Sequence, residues 1–504
     1  MKSFNHLILT TLLLCGAYSG VFAQFTQQGG ILVGTGAVGK AMQGSSVSLS
    51  ADGNTAIIGG PNDDDPGAQY LTVGAAWVWT RNNGTWNQQG SKLVGTSDGS
   101  NFVQGSSVSV SSDGNTALVG GPQGTAWIWS RLGTAWTQQG SYLQGTGAVV
   151  QGYTGVSVSL SSDGNTAIVG GSIDSAVWVW TRSAGVWTRQ GGKYVGTGGV
   201  GYASQGVSVS LSADGNTAIV GGSGDNKGAG AVWVWTRSAG VWTQQGGKLV
   251  GSGAVGSASQ GVSVSLSADG NTAIVGGSDD NNGAGAVWVW TRSAGVWTQQ
   301  GGKLVGSGAV GKSKQGFSVS LSSNGNTAIV GGPEDTVISG GPQGIGQAGA
   351  AWVWTRTNGV WSQLGSKLVG TQNTSGSGYY ALQGSSVSLS ADGNTAIVGG
   401  PANNTNTGAA WVFTRNGTPV LPEGFNRKRL HLKNGNLLKY YLPKNSVVNF
   451  RILDAKGVLQ KTLVNGFQKS GPQEIYLPKE FLKGGYLLDF IADGYHKVLP
   501  IQGR

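Results

Sequence analysis

The chain of 504 residues contains one cysteine, Cys15, and it lies in an N-terminal apolar run. Disulfide frameworks and thiolate chemistry are therefore excluded from the rest of the sequence. Histidine is almost as scarce: His6 stands near the N-terminus and His431 and His496 near the C-terminus, so the long span from Gln24 to Gly417 has none. Triads and metal centres built on His or Cys are excluded from that span. Its only glutamate is Glu334, so a glycosidase-type carboxylate pair would have to use Glu334 or Asp335 with a second aspartate. Charged residues make up 11% of the chain, less than half the usual share. The 92 glycines have no three-residue period, which excludes collagen, and the 19 tryptophans argue against a chain that stays unfolded.

The one long apolar run, Leu7 to Ala17, follows Lys2 and leads to Val21-Phe22-Ala23, a small-residue cleavage site before Gln24. Residues 1–23 therefore read as a secretory signal peptide, and the mature protein is expected to be secreted or displayed on the outer cell surface. The run is too short for a transmembrane segment. Leu12-Leu13-Leu14-Cys15 has the outline of a lipidation site, but Leu14 stands where a small residue should precede the cysteine, which makes a lipid anchor the lesser reading. The net charge of +10 suggests nucleic acid until it is divided along the chain. Residues 418–504 hold 14 Lys+Arg against 6 Asp+Glu, and Lys2 adds one more, leaving about +1 for Gln24 to Gly417. A near-neutral body with a basic tail is not the footprint of a nucleic-acid groove binder.

Internal repetition decides the architecture. Asp-Gly-Asn-Thr-Ala begins at Asp52, Asp113, Asp163, Asp214, Asp269 and Asp392, and Asn-Gly-Asn-Thr-Ala begins at Asn324. The spacings of 61, 50, 51, 55, 55 and 68 residues suit units of four short strands. In the unit from Gln205, Val207, Val209 and Leu211 alternate with serines, the period of a strand. Ala-Asp-Gly-Asn is a hairpin turn; Thr217 to Val220, Ala231 to Thr236 and Val241 to Val250 supply three further strands. The second and third strands are apolar on both faces, as in sheets packed against neighbours on either side.

The two ends of the array complete each other. Trp86, Trp136, Trp187, Trp242, Trp297 and Trp361 open six fourth strands, whereas the seventh unit stops at Arg415-Asn416-Gly417 without one. FTQQGGILVG from Phe25 matches VWTQQGGKLVG from Val241, with Phe25 in the tryptophan position. The expected fold is all-β: a seven-bladed β-propeller over 24–417, closed by its N-terminal strand, then a linker at 418–426 and a small β-sandwich over 427–504.

The repeat QGxSVSLSxDGNTAIVGGP resembles the FG-GAP repeat of the seven-bladed propellers of integrin α-chains and bacterial surface proteins. Those blades often carry a DxDxDG calcium loop in the first hairpin, whereas here that hairpin is only Ser-Ala-Asp-Gly-Asn-Thr, so the family's calcium sites do not transfer. SxDGNT also resembles the Asp-box of sialidases but lacks the residue between Asp and Gly. The C-terminal segment, with Ile452-Leu453-Asp454-Ala455-Lys456-Gly457, Leu482-Lys483-Gly484-Gly485-Tyr486 and a basic last strand around Lys497, resembles the C-terminal sorting domain of the type IX secretion system of Bacteroidetes. That resemblance implies the secretion machinery as a partner.

Candidate site residues follow from repetition and its exceptions. Residues used in nearly every blade, such as Asp52 and Arg81, read as blade-holding rather than catalytic. Trp77 and Trp79 could stack sugars, yet their repetition within a buried strand reads as core. Asp63-Asp64-Asp65 and Asp279-Asp280 offer oxygen ligands of the kind calcium takes, with solvated turns as the alternative reading. In a four-stranded meander the first and third hairpins share one face, and the second connection and the blade-to-blade loop share the other. Only the second face varies in length, most of all at Pro61–Ala76, Pro333–Ala351 and Thr371–Leu382. Closure makes blades 6, 7 and 1 consecutive, which is expected to gather Tyr70, Tyr379 and Tyr380 near Glu334, Asp335 and Asp63 to Asp65. The expected function is a non-catalytic binding or adhesion module for an extracellular glycan or protein. A carbohydrate-active propeller enzyme and a structural surface-layer protein are the alternatives.

Overall fold

Each Asp/Asn-Gly-Asn-Thr string forms the turn of a hairpin in the computed structural model. The structure describes residues 24–64, 72–96, 103–121, 125–147, 157–338, 345–371, 381–415, 437–442, 446–454, 458–469, 471–483, 486–492 and 495–500. The segment read as a signal peptide and the linker lie outside them. The chain divides into one unit spanning Gln24–Asn416 and another that holds the residues from Gly417 onward.

In the blade that begins at Gln205, the strands Gln205–Leu211, Thr217–Gly222, Ala231–Ser238 and Val241–Gln244 pair antiparallel in sequence order. Val209 lies opposite Val220, Val220 opposite Trp233, and Arg237 opposite Trp242. The fourth strand is shorter than its sequence pattern suggests. Gly246, at φ +71°, turns the chain, and Leu249 returns for a single bridge to Val232. Only in blade 3 does this strand run on, as Val186–Tyr194. Blade 2 adds a two-residue fifth strand, Leu143–Gln144.

Among the described residues seven such sheets occur, and none closes as a barrel. The second strands, Thr217–Gly222 among them, are buried at every residue because each is sandwiched between neighbouring blades. Their paired glycines have separate reasons. A Cβ on Gly221 would overlap the carbonyl of Gly261 in the next blade, and one on Gly222 would meet the Trp233 ring at 2.6 Å. Trp233 is fully buried and its indole N–H donates to Thr197 O at 2.8 Å. Burying a tryptophan removes on the order of 200 Å² from water, worth about 5 kcal/mol, and this position recurs in all seven blades.

Two rings of hydrogen bonds close around the axis. The N–H of Ala51 donates to Ser112 O, Ser112 to Ser162, Ser162 to Ala213, Ala213 to Ala268, Ala268 to Ser323, Ser323 to Ala391, and Ala391 back to Ala51, at 2.9–3.0 Å. One step deeper, the hydroxyl of Ser48 accepts from Val110 N–H, Ser109 from Leu160, Ser159 from Leu211, Ser210 from Leu266, Ser265 from Leu321, Ser320 from Leu389, and Ser388 from Leu49. The serines of SVSLS therefore join adjacent inner strands. A small hydroxyl satisfies the edge N–H where an apolar side chain would leave it orphaned.

Phe25–Gln27 pairs antiparallel with the third strand of the last blade, Phe25 opposite Arg415 and Gln27 opposite Phe413. Gln28 N–H then donates to Val412 O, and Leu32 bridges Ala410. The N-terminal strand thus supplies the missing fourth strand of the seventh blade. Phe25 is buried with Leu364, Leu368 and Phe413.

In the second unit, Leu459–Gln468, Ser446–Asp454, Tyr486–Ala492 and Tyr495–Pro500 form a four-stranded sheet in that spatial order. Leu437–Leu442 pairs with Gly471–Tyr476 in a two-stranded sheet. Val448, Phe450, Ile452, Ile475, Leu477, Leu488 and Phe490 fill the core of this small sandwich. Pro500 is tolerated because its strand lies at an edge. Among the described residues no helix is long and apolar enough to cross a membrane.

Candidate functional site

The face that carries the short hairpins is a repeated frame. Asp52 Oδ1 accepts from Ser50 Oγ at 2.5 Å and from Asn54 N–H at 2.9 Å, while Asn54 Nδ2 donates to Asp52 Oδ2. Burial would lift the Asp52 carboxyl, but these bonds and the Arg81 charge outweigh it and hold it below the ordinary carboxylate range. Asp113, Asp163, Asp214 and Asp269 are shifted the same way by their own copies of the box. Arg81 donates to Asn54 Oδ1, to Gln28 Oε1 and to Thr395 Oγ1, and lies 5.3 Å from the Trp86 ring centroid. Since Gln28 and Thr395 belong to the seventh blade, Arg81 fastens the closure. Arg237 repeats the pattern with Asn216, Gln190, Thr166 and Trp242.

On the axis this face opens into a cavity of about 140 Å³, walled by Ala51, Ser112, Ser162 and their counterparts over a floor of aliphatic residues such as Leu49 and Leu160. That is well below the roughly 300–1,000 Å³ of ordinary ligand pockets.

The opposite face is stapled by ion pairs. Asp225, in the second connection of blade 4, is about 1% exposed; its Oδ1 accepts from Val200 N–H at 2.6 Å and its Oδ2 pairs with Lys248 Nζ at 2.5 Å. Val200 lies in the blade-to-blade loop before the blade and Lys248 in the segment after it. These bonds place the second connection and the inter-blade loops on one face, as the meander requires. Asp63 with Val38 and Lys92, Asp280 with Val255 and Lys303, and Asp335 with Val310 and Lys367 make the same arrangement. In blade 3, Asp174 pairs with Lys193. Burial lifts the Asp63 carboxyl above its usual value, although Lys92 and the Val38 N–H pull it down.

Blades 2 and 7 lack the pair as a unit. Tyr142 stands at the lysine position of blade 2, whose shortened connection has no aspartate, and packs against Trp127 at 5.8 Å. In blade 7 Asn403 replaces the aspartate and Ile31 the lysine; Asn403 is buried and neither side-chain polar atom has a hydrogen-bond partner.

These contacts locate the residues singled out by sequence. Asp63, Asp280 and Asp335 are buried with both carboxylate oxygens engaged by donors, so Asp335 is not offered to a surface ligand. Asp279 pairs with Lys314 and accepts from Ser259 Oγ at 2.7 Å, and Asp64 accepts from Thr72 Oγ1 at 3.4 Å. Among the described residues no three His, Cys, Asp or Glu side chains gather in the manner of a metal site. Glu334 is half-buried beside Asp335. Tyr70, Tyr379, Tyr380 and Asp65 lie outside the described residues. The long connection of blade 6 carries an extra hairpin, Thr336–Ile338 against Ile345–Gln347.

The lysine partners and Tyr202, which is 60% exposed on this face, are not among the residues that the sequence marks as a site. The joint presence or joint loss of Asp and Lys across the repeats is the signal that reveals the pairs.

No family model and no curated protein matches the chain. Among solved structures it is similar to a candidate 6-phosphogluconolactonase from Bacteroides uniformis, at 12% identity and a TM-score of 0.45, over 65% of this chain and 85% of the other.

Proposed function

We propose that this chain is exported and acts as a non-catalytic binding or adhesion module, holding an extracellular glycan or protein on the face of its long connections. The supporting observation is the asymmetry of the two faces. The hairpin face repeats one hydrogen-bonded frame around the ring, whereas the loop face carries the added hairpin of blade 6, the unequal connections and the blade-specific loss of ion pairs. A rigid frame with one variable loop face is the arrangement on which scaffolds place recognition. The FG-GAP-like repeat fits this reading, and the sorting-domain likeness of the tail fits delivery to the surface or medium by type IX secretion.

The test uses the mature full-length chain probed against arrays of extracellular glycans and proteins. For the best binder, Glu334→Ala and the pair Tyr379→Ala/Tyr380→Ala should weaken binding without moving the melting temperature, while Asp163→Asn and Arg182→Lys on the hairpin face should leave it unchanged. Loss of binding only with the hairpin-face changes places the ligand on the wrong face for this proposal. A chain ending before Arg427 should accumulate in the periplasm of the producing cell. Equal surface or medium levels of both forms would remove the secretion role of the tail.

A further inference from the structure

We infer that the arc of the loop face over blades 3 to 5 is a docking surface for an acidic polysaccharide. The inference rests on the proposed use of that face for binding and adds a ligand class and a place.

The blade-to-blade loops before blades 1, 4, 5 and 6 share one rigid frame with an exposed position whose side chain differs from blade to blade. Gly39-Lys40-Ala41, Gly201-Tyr202-Ala203, Gly256-Ser257-Ala258 and Gly311-Lys312-Ser313 align with one another. The residue after the variable position is buried in each, and the next, Met42, Ser204, Ser259 or Lys314, is left-handed at φ 53–58°. A buried glutamine follows, whose Oε1 accepts an N–H from the same loop at 2.5–2.6 Å. The frame fixes where the exposed side chain emerges, and at that position stand Lys40, Tyr202, Ser257 and Lys312, while the half-buried position two residues on also differs between the loops. A position that varies on an otherwise repeated frame is free to serve recognition.

Over blades 3 to 5 these side chains rest on the neighbouring second connections. Tyr202 Oη donates to Ser172 O at 2.8 Å, and Ser257 Oγ donates to Lys227 O at 3.2 Å. A Cβ built on Gly283 would lie 3.5 Å from Lys312 Cβ. The carboxylates of the arc are already paired, Asp174 with Lys193, Asp225 with Lys248, Asp280 with Lys303 and Asp279 with Lys314. Lys227 and Lys312 are exposed and have no carboxylate partner among the described residues. The arc therefore presents two uncompensated ammonium groups and a tyrosine ring held by its tethered hydroxyl. An acidic polysaccharide matches both: the C–H face of a sugar stacks on the ring, and carboxylates along the chain pair with the lysines. An acidic peptide would use the lysines without needing the ring.

The experiment measures binding of the mature full-length chain to polygalacturonate and to alginate, with fully methyl-esterified polygalacturonate and polyglutamate as comparison probes. The free-acid polysaccharide should bind, and methyl esterification should weaken binding roughly tenfold, as should Lys227→Ala with Lys312→Ala, the loss expected of two exposed charge contacts. Tyr202→Ala should weaken it several-fold and Tyr202→Phe much less, with unchanged melting temperatures. Failure of both acids to bind, or equal binding of acid and ester, overturns the inference. So does polyglutamate binding as tightly as the polysaccharide with no effect of Tyr202→Ala, which would mark an acidic-peptide surface. If Glu334→Ala or the Tyr379/Tyr380 variant abolishes binding of an array-selected ligand while the arc variants do nothing, the general binding role stands and this inference falls.

Discussion

Replacing Lys248 by Met should destabilise the propeller, and replacing Asp225 by Asn in the same chain should restore part of the loss. Asp225 is about 1% exposed, and among the described residues Lys248 is its one charged partner, in an ion pair of 2.5 Å. Removing one member of a buried pair leaves an uncompensated charge and typically costs about 3–5 kcal/mol. The Val200 N–H at 2.6 Å continues to stabilise the carboxylate, which favours the lower end, about 3 kcal/mol. For a unit spanning Gln24–Asn416, an unfolding entropy of about 2.1 cal/mol/K per residue sums to roughly 0.8 kcal/mol/K. The single variant should therefore melt about 4 °C lower if the unit unfolds cooperatively. The double variant, Asp225→Asn with Lys248→Met, puts an asparagine and an uncharged side chain where blade 7 has Asn403 and Ile31. It removes the charge but buries a carboxamide short of partners, as Asn403 is, at about 1–2 kcal/mol. Thermal and urea unfolding of wild type, both singles and the double give the coupling. A single Lys248→Met within 1 °C of wild type (about 0.8 kcal/mol on the same scale), or a double that melts below that single, would show that the pair does not compensate a buried charge.

Three further outcomes follow from the frame. Gly221→Ala should cost roughly 1–3 kcal/mol by overpacking against Gly261 O and Ser208 Oγ, whereas Gly247→Ala, with open space around its Cβ and no positive φ, should be neutral or slightly stabilising; paired urea melts compare them. Deleting Phe25 to Val33 exposes the edge of Ala409–Arg415 and should produce aggregation or a lower melting temperature by light scattering and calorimetry; a monomer that melts as the intact protein does would contradict closure. Because Asp52, Asp113, Asp163, Asp214 and Asp269 are depressed in the fold, the stability they add is fully present above the unfolded value near about 3.9 and is lost as pH falls through their lower folded values. Melting temperature should drop below about pH 4, and Asp214→Asn should flatten that drop, since Asn324 shows that Asn accepts the same Ser and backbone bonds.

The fold was legible because repetition carries more information than any single strand. Seven copies of one turn, three tryptophan positions per unit and the match of Phe25 to Trp242 specify the blades and their closure without a contact in hand. Polar residues were less readable. Alternation of Ser with Val and Leu marks a strand, but period two says nothing of the next blade, so the serine ring that joins Ser388 to Leu49 was invisible. Asp63 and Asp280 looked like turn residues or cation ligands because their partners lie more than twenty residues onward, at Lys92 and Lys303. The fourth strand was read as too long because Gly246 and Gly247 break pairing without breaking the apolar pattern that Leu249 resumes.

The proposed division is a loop face that recognises the ligand and a hairpin face that serves as frame. Hydrogen exchange of the mature full-length chain, free and saturated with its best array ligand, distinguishes the two faces. New protection is expected in the second connections and inter-blade loops, such as Ser223–Gly230 and Gly251–Gln260, with no change at the Asp-Gly-Asn-Thr turns. Protection confined to those turns or to the axial cavity above Leu49 and Leu160 would contradict that division.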